Sequence, residues 1–358
     1  MKKYLIISLQ LICFGLFGQQ LVNIDSSFQN LVTQYKNVGV SAAYSVDGKT
    51  QWTASKGYAN ANLKIEFADK TLTRIASITK PFTAICIMQL KEKGALNLDD
   101  EIIKYIPDYP KKGKTVITIR QLLTHTSGID GYKNSKEAIN TVEYPTLEDV
   151  MKLFKDRKLK FDPGSDFLYT TYGYVVLGLI IEKVSGQSYA AYLQENIFNI
   201  ADMKNTGIEK YGEKYVNKSV LYHMEKGDVI LPEPNNLSNR TPAGGLYSTV
   251  EDLMKFGNAV LDYKFITEFS HNEMLKIGFP LEQGNPYGLG WFLYGSKGQE
   301  HMIFGHEGGQ YGANTQLIII PKIKSTIVVL SNTSETPDSN IKKFAVQILK
   351  KLLSENKE

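Results

Sequence analysis

The chain has 358 residues, of which 42% are hydrophobic and 22% are charged, so it is long enough for one large domain or two modest ones. Its net charge of +4 comes from lysines scattered without a basic stripe, which argues against nucleic acid as a partner. The five histidines are scattered and the two cysteines form no cluster, so no metal site is predicted.

The first twenty residues have the layout of a secretory signal peptide. Lys2 and Lys3 precede an apolar run over 4–17, and small and polar residues follow it. The run is short for a membrane span. We therefore expect residues 1–20 to be a signal peptide and the mature chain to be secreted or periplasmic, without stable membrane insertion once the signal is removed. An uncleaved N-terminal anchor is the alternative.

The predicted elements change in character along the chain. An amphipathic helix over 24–35 is followed by strands over 38–46 and 50–58, which flank an Asp-Gly turn. The middle is mostly helix and loop, with helices predicted over 77–93, 119–125, 147–154, 172–184, 189–200 and 250–261. Strands return over 290–294, 301–304, 315–320 and 326–330, and a helix over 341–353 follows.

Strands at both ends of the chain and helices between them indicate an α+β fold. We expect one antiparallel sheet, flanked by the N- and C-terminal helices, with a mostly helical domain inserted into it. The sheet domain would comprise residues 21–75 and 286–358, and the helical domain residues 76–285. Residues 21–358 would then form one catalytic unit, with a cleft between the two domains.

Ser77 and Lys80 lie three residues apart where an apolar helical run begins. Positions i and i+3 share one face of a helix, so Lys80 can reach the Ser77 hydroxyl. A serine hydroxyl needs a neighbouring base to become a nucleophile, and a lysine shielded from water can lose its proton near neutral pH. The spacing is common by chance, so it predicts chemistry only together with partners elsewhere.

Two later segments supply such partners. Residues 161–174 carry a Pro-Gly turn followed by Tyr169 and Thr171, and residues 305–309 read Gly-His-Glu-Gly-Gly. In this order, the three segments resemble those of the serine β-lactamase and penicillin-binding-protein superfamily, in its class C branch. That branch includes D,D-peptidases, D-aminopeptidases and esterases. The resemblance covers nearly all of the chain after the signal and implies a β-lactamase/transpeptidase-like fold.

The resemblance implies a role for each motif residue. Ser77 would be the nucleophile, Lys80 would assist its deprotonation and Tyr169 would be the main proton shuttle. An isolated tyrosine has a pKa near ~10, so Tyr169 must have a lowered pKa or share its proton with Lys80. The two are therefore expected to titrate as one coupled unit, with a phenolate and an ammonium favouring each other.

The third motif implies the remaining parts of the site. The backbone N–H groups of Ser77 and Gly309 would form the oxyanion hole, while His306 and Gly308 would bind substrate on the sheet edge. Two residues depart from the class C pattern. Thr171 replaces an asparagine that orients the lysine and binds the acyl amide, and His306 replaces a lysine that attracts a substrate carboxylate.

These observations predict a serine hydrolase that cleaves an amide or ester through a Ser77 acyl-enzyme. The substrate would be a small molecule or peptide, such as a D-amino-acid peptide or a small ester, and no cofactor is implied. His306 predicts that β-lactam turnover is weak at most. Two alternatives stay open: a non-catalytic or weakly catalytic binding or scaffold protein, and a true class C-like β-lactamase. The sequence gives no oligomeric state.

Overall fold

The computed structural model describes residues 23–111, 116–281, 283–294, 303–336 and 340–356. The predicted signal segment lies outside these residues. The strands are β1 Gly39–Val46, β2 Lys49–Asn60, β3 Ile65–Glu66, β4 Thr73–Arg74, β5 Gly207–Ile208, β6 Tyr222–Glu225, β7 Asp228–Ile230, β8 Leu246–Ser248, β9 Phe292–Tyr294, β10 Ile303–Gln310, β11 Ala313–Ile320, β12 Ser325–Ser331 and β13 Thr333–Ser334. The helices are α1 Ile24–Thr33, α2 Thr79–Glu92, α3 Ile119–Leu123, α4 Ser135–Ala138, α5 Leu147–Met151, α6 Tyr172–Ser185, α7 Tyr189–Leu193, α8 Thr241–Gly244, α9 Val250–Leu261, α10 Glu268–Met274 and α11 Asn340–Glu355.

The main sheet joins strands from the two ends of the chain. Its seven strands run in the order β3-β2-β1-β12-β11-β10-β9, and every neighbouring pair is antiparallel. The central seam pairs β1 with β12, with Ala42 opposite Val329. The predicted α+β class and the antiparallel sheet built from both ends are therefore confirmed. The division into two domains stays a prediction.

Alternating side chains make the sheet apolar on both faces. On β12, Ile327 and Val329 belong to the core that contains α1 and α11, whereas Val328 and Leu330 belong to the core of the central helices. This alternation follows from the two-residue repeat of a strand. Because both faces are covered, these central strands read as continuous apolar runs.

The inner face of the sheet carries α2, α6 and α9. The α6 helix is buried almost all round, as expected for a helix at the centre of a core. Helix α9 lies directly against β12, and Phe256 on α9 stacks on Phe82 of α2 at 3.8 Å between ring centres. These contacts fix α2, whose first turn carries Lys80, relative to the sheet.

The structure corrects three of the predicted elements. Ser77 lies in a 3-10 turn, Ala76–Ile78, and α2 begins only at Thr79. The predicted helix over 189–200 is α7 followed by a π-helical turn, Gln194–Phe198. The segment 76–285 also contains strands that sequence periodicity missed, because they are only two to four residues long and form two small sheets, β4-β8-β5 and β13-β6-β7.

The contact of α9 with the sheet gives a stability prediction. A Cβ atom at Gly257 would lie 2.3 Å from Cγ2 of the buried Thr326. Gly257→Ala should therefore lower the free energy of unfolding by up to about 2 kcal/mol, because overpacking costs about 1–3 kcal/mol and the gain in helix propensity is about 1 kcal/mol. Urea denaturation measures this change.

Thr326→Ala provides the matched control in a double-mutant cycle. It removes the two nearest clashing atoms, so the double variant should lose less stability than the sum of the two single variants. Strict additivity would contradict the proposed clash.

Candidate active site

Ser77 is held in a turn between a small sheet and a long helix. Strand β4 pairs with β8, and the N–H of Ile75 donates to the Leu246 carbonyl at 3.0 Å. Ala76 then adopts a φ of 49°, in the left-handed region, immediately before Ser77. Such backbone is uncommon for a residue with a side chain and is maintained only where the surroundings enforce it. The turn leaves Ser77 half-buried at the mouth of a cleft.

Lys80 is the buried partner of Ser77. Its side chain is only 1% exposed, and Nζ donates to Ser77 Oγ at 3.0 Å and to the Ala243 carbonyl at 3.1 Å. Burial, followed by the positive charge of Arg240, lowers the pKa of Lys80 to about 7. A lysine in this state is partly deprotonated at neutral pH and can accept a proton from the hydroxyl it contacts.

Tyr169 lies above this pair, in the segment just before α6. The Lys80 Nζ atom is 4.7 Å from the centre of the Tyr169 ring. The neighbours of Tyr169 in the chain are fixed by His125, because the Leu168 N–H donates to the His125 carbonyl at 2.9 Å and the Thr170 N–H to its Nδ1 at 3.2 Å. The ring of His125 is 4.3 Å from that of Tyr169, between centres. His125 is therefore a buried support of Tyr169.

The protonation of Tyr169 differs from the expected phenolate. Burial raises the pKa of Tyr169 well above its usual value, and the nearby Ser77 hydroxyl only partly offsets this. Since the pKa of Lys80 falls to about 7, the resting pair near neutral pH is a neutral phenol beside an amine that is only partly protonated. The expected phenolate and ammonium each place a charge on a buried group, and burial disfavours the charged form of both.

His306 occupies the middle of β10 but does not line the cleft. Its side chain is fully buried, with Nε2 at 3.0 Å from the Tyr287 hydroxyl and Nδ1 at 2.7 Å from the Glu307 carbonyl. Burial, followed by the charge on Lys80, lowers the pKa of His306 to about 3, so its imidazole is neutral. In this structure His306 is a support of the strand, and it offers no charge to a substrate carboxylate.

Gly308 and Gly309, which follow His306 and Glu307 on β10, bring this strand against the Ser77 turn. A Cβ atom at Gly308 would lie 2.4 Å from the Ile75 carbonyl, so only glycine permits this approach. Thr315 on β11 secures the same contact by donating to the Ile75 carbonyl at 3.1 Å. Gly309 follows at the open edge, where it lines the cleft together with Ser77.

Thr171 stands at the N-terminus of α6. Its carbonyl accepts the N–H of Tyr174 at 3.1 Å, and its side chain does not cap the helix. Among the described residues, the hydrogen bonds of Lys80 Nζ go to Ser77 and Ala243, not to Thr171. The part that an asparagine would play in orienting the lysine therefore falls to a backbone carbonyl in this chain.

The cleft itself has a volume of about 520 Å³ and separates the sheet edge from the helical side. Across it, Lys342 of α11 donates to Glu307 of β10 at 2.8 Å. The wall combines aromatic, polar and charged groups: Ser77, Phe167, Tyr169, Leu281, Gln283, Gly284, Asn285, Phe292, Glu307, Gly309 and Lys342. A cleft of this composition suits a small organic or peptide ligand.

Sequence reasoning missed several residues of this site. Arg240, Tyr287, Phe292 and Lys342 come from separate elements, and none belongs to a motif with a fixed spacing. The structure does bring together all three motif segments that the sequence singled out, within one cleft.

Fold and site together define the serine hydrolase fold of the penicillin-binding-protein and amidase type. The sequence model of the beta-lactamase family matches residues 24–350, and the chain belongs to this family. A solved structure of an octameric penicillin-binding protein homologue from Pyrococcus abyssi is 28% identical, with a TM-score of 0.81 over 92% of this chain and 77% of that one.

Two further similarities extend this finding. Protein flp of Staphylococcus aureus strain MW2 is 32% identical over 318 residues, which are 86% of this chain and 62% of that protein. The chain thus spans about three fifths of the length of that curated relative. The fold of D-amino acid amidase from Ochrobactrum anthropi SV3 is also similar, with a TM-score of 0.80 and 24% identity over 93% of this chain and 99% of that one. None of the helices in the described ranges is long and apolar enough to cross a membrane.

The burial of Lys80 predicts a specific pH dependence of stability. Its pKa is about 7 in the folded chain and near ~10.4 in an unfolded one, so between these values the unfolded state binds more protons. The free energy of unfolding should then rise with pH across this window, by up to about 1.4 kcal/mol per unit. In Lys80→Met this contribution is absent, so the stability of the wild type relative to the variant should increase from pH 7 to pH 10.

Chemical denaturation at several pH values measures the difference between the two proteins. Lys70→Met, at an exposed lysine, should run parallel to the wild type. A difference between wild type and Lys80→Met that does not change with pH would contradict the lowered pKa.

Proposed function

We propose that this protein is a serine hydrolase that cleaves an amide or ester through an acyl-enzyme on Ser77. The observation that carries the proposal is the contact between Lys80 Nζ and Ser77 Oγ, 3.0 Å apart, in which the buried amine has a pKa of about 7. Nucleophile and base are thus in direct contact at the mouth of an open cleft.

In the acylation step, Ser77 Oγ attacks the substrate carbonyl carbon while its proton moves to neutral Lys80. The new Oγ–C bond gives a tetrahedral intermediate with a negative oxygen, and the backbone N–H groups of Ser77 and Gly309 are the proposed donors to it. When the C–N or C–O bond breaks, the leaving group takes a proton from the site. Tyr169 is the proposed donor, because its hydroxyl keeps its proton in the resting state and faces Ser77.

Deacylation repeats these steps with water. Tyr169, which has lost its proton to the leaving group, accepts one from the attacking water. As the acyl bond breaks, Ser77 Oγ takes back its proton from the Lys80 ammonium, which returns Lys80 to its neutral form. Lys80 and Tyr169 together therefore hold one mobile proton in the resting enzyme and in the acyl-enzyme, and two in each tetrahedral intermediate. The route requires no charged group in the resting pair, which agrees with the direction of both pKa shifts.

The charges at the cleft bear on the substrate class. His306 is neutral and enclosed, so β10 presents no free ammonium in the position where the class C pattern has lysine. We therefore propose a D-amino-acid peptide or amide, or a small ester, in preference to a β-lactam. The fold similarity to D-amino acid amidase supports this choice without fixing it. Efficient nitrocefin turnover would favour the β-lactamase alternative.

A non-catalytic binding or scaffold protein is the second candidate. Thr171 in place of asparagine is the feature in its favour, because Lys80 then lacks one side-chain partner.

We also propose that the chain acts outside the cytoplasm, on the basis of the N-terminal pattern of residues 1–20. An N-terminal sequence of the protein recovered from the culture medium or periplasm would test this.

The first functional prediction concerns the activated serine. A fluorophosphonate probe should form a single stoichiometric adduct with the wild type, and Ser77→Ala should form none, because phosphonylation requires an activated hydroxyl. Intact-mass spectrometry measures the adduct. Ser165→Ala removes an exposed hydroxyl in the turn before Tyr169 and should be labelled like the wild type. An unlabelled, well-folded wild type would favour the binding-protein alternative.

The second prediction concerns Tyr169. Tyr169→Phe keeps the ring that stacks against Phe292, at 6.1 Å between centres, and loses only the hydroxyl. Turnover of an ester or D-aminoacyl amide should fall about 100-fold or more, because the leaving group loses its proton donor. Steady-state kinetics on both substrate types measures the loss.

Tyr174→Phe is the matched control for this variant. The Tyr174 ring also faces Lys80, with Nζ 5.6 Å from its centre, but its hydroxyl donates to the Leu123 carbonyl. Turnover should change only a few-fold in that protein. Equal losses in the two variants would mean that ring packing, not the Tyr169 hydroxyl, determines the rate.

A further inference from the structure

Among the described residues, Arg240 is a buried cation that makes no salt bridge to a carboxylate. Arg240 is only 8% exposed, and its Nε atom donates to Asn239 Oδ1 at 2.9 Å. The guanidinium carbon lies 4.9 Å from the centre of the Tyr132 ring, while Nη2 has no hydrogen-bond partner. In the part of the chain that the structure describes, no salt bridge joins Arg240 to an acid. An unpaired buried charge lowers stability, so its retention needs a physical reason.

Two acids in this part of the fold, Glu137 and Glu209, are paired with other cations. Glu137 contacts both the guanidinium of Arg157 and the Tyr172 hydroxyl. Glu209 accepts a forked pair of hydrogen bonds from Arg74 and a further contact from Lys218. The positive charge of Arg240 therefore stays uncompensated beside the site.

The backbone places Arg240 next to the Ser77–Lys80 pair. Arg240 directly precedes α8, whose Ala243 carbonyl accepts the Lys80 hydrogen bond at 3.1 Å. A Cβ atom built on Gly244 would lie 3.8 Å from Arg240 Cδ and 3.7 Å from the Ala76 carbonyl carbon. The arginine side chain and the turn that carries Ser77 thus meet at the same short helix.

We propose that Arg240 is a positioning residue for the Ser77–Lys80 pair: its unpaired positive charge keeps the Lys80 amine deprotonated, ready to accept the Ser77 proton at neutral pH. The inference rests on the proposed function, because it gives Lys80 the role of base. The proposal gives a reason why the chain retains a buried, unpaired guanidinium that lowers its stability: the charge acts on the base of the reaction. A like charge disfavours the ammonium form of a neighbouring lysine.

The other groups around Lys80 carry no charge that could substitute for Arg240. Burial lowers the pKa of both nearby histidines and raises that of both nearby tyrosines, so all four are neutral between pH 6 and pH 9: His125, His306, Tyr169 and Tyr174. The pKa of Lys80 itself is lowered first by burial and then by Arg240. A substitution of Arg240 therefore changes the charge that acts on the Lys80 amine.

The test is the pH dependence of serine labelling. The rate of Ser77 modification by the fluorophosphonate probe should rise with pH as Lys80 loses its proton, which gives an acid limb with a midpoint near the Lys80 pKa of about 7. In Arg240→Gln the midpoint should move up by roughly 0.5–1 pH unit, because removal of the like charge favours the ammonium. Labelling at pH 6 should then be roughly three- to tenfold slower, and the rate at high pH should be nearly unchanged.

Three further variants separate charge from structure. Arg240→Lys retains the charge and should restore the wild-type midpoint even if it loses the bond to Asn239. Arg240→Met is a second neutral variant that avoids an unpaired amide in the same space. Arg120→Gln is the control, since it removes a partly exposed arginine that is paired with Asp99 and does not act on Lys80, and its midpoint should stay at the wild-type value.

An unmoved midpoint in both neutral variants would overturn the inference, and so would equal shifts in the lysine variant and the neutral variants. The proposed function fails separately, if the wild type is not labelled at any pH. In that case NMR of the Lys80 ¹³Cε resonance across the same pH range gives the titration midpoint of the amine directly, so the role of Arg240 can still be tested. A midpoint that rises in Arg240→Gln supports the electrostatic role, and an unchanged midpoint contradicts it.

Discussion

The burial of the Lys80 amine without a counter-charge is the constraint on which the site depends. An ammonium in this position would need an acid, and the structure gives it a serine hydroxyl and a backbone carbonyl instead. That carbonyl belongs to Ala243, and α8 can reach α2 only because Gly178 on α6 leaves room for Pro242, whose ring would lie 2.2 Å from an added Cβ. Thr83 on α2 binds the Pro242 carbonyl at 2.6 Å and holds the same turn. The position of one proton acceptor is thus set by close packing between three helices.

The sheet provides the second half of the site through backbone contact. Strand β10 approaches the Ser77 turn at Gly308, where a side chain would meet the Ile75 carbonyl. The left-handed φ of Ala76 belongs to this arrangement, because it turns the chain out of β4 and into the 3-10 turn that presents Ser77. Strain at such a position persists only if its neighbours fix it. Here the sheet on one side and α8 on the other supply that support, which links the global fold to the reactive hydroxyl.

The features that the sequence could predict are those that depend on interactions between residues close together in the chain. Periodicity predicted α9 to the residue and the central strands closely, because apolar spacing is local. The three-residue spacing also predicted the Ser77–Lys80 contact, although Ser77 lies in the 3-10 turn before α2 and not on the helix itself. The left-handed Ala76 and the short strands missed by periodicity depend on tertiary pairing. The neutral state of Tyr169 was also beyond local reasoning, since it results from burial by residues far away in the chain. The enclosure of His306 by Tyr287, 19 residues earlier, is of the same kind.

A site built from neutral groups has a consequence for its chemistry. When Lys80 has lost its proton and Tyr169 and His306 are neutral, the oxyanion of the proposed reaction is the first charge to develop next to these three groups. Proton transfer from Ser77 then creates an ammonium beside that oxyanion, and the low dielectric that disfavours either charge alone favours the pair. The opposed charges of Glu307 and Lys342 form an ion pair in the wall of the cleft. Such a site stabilises charge that develops during the reaction more than charge brought by the ground-state substrate, and this difference is what accelerates a chemical step.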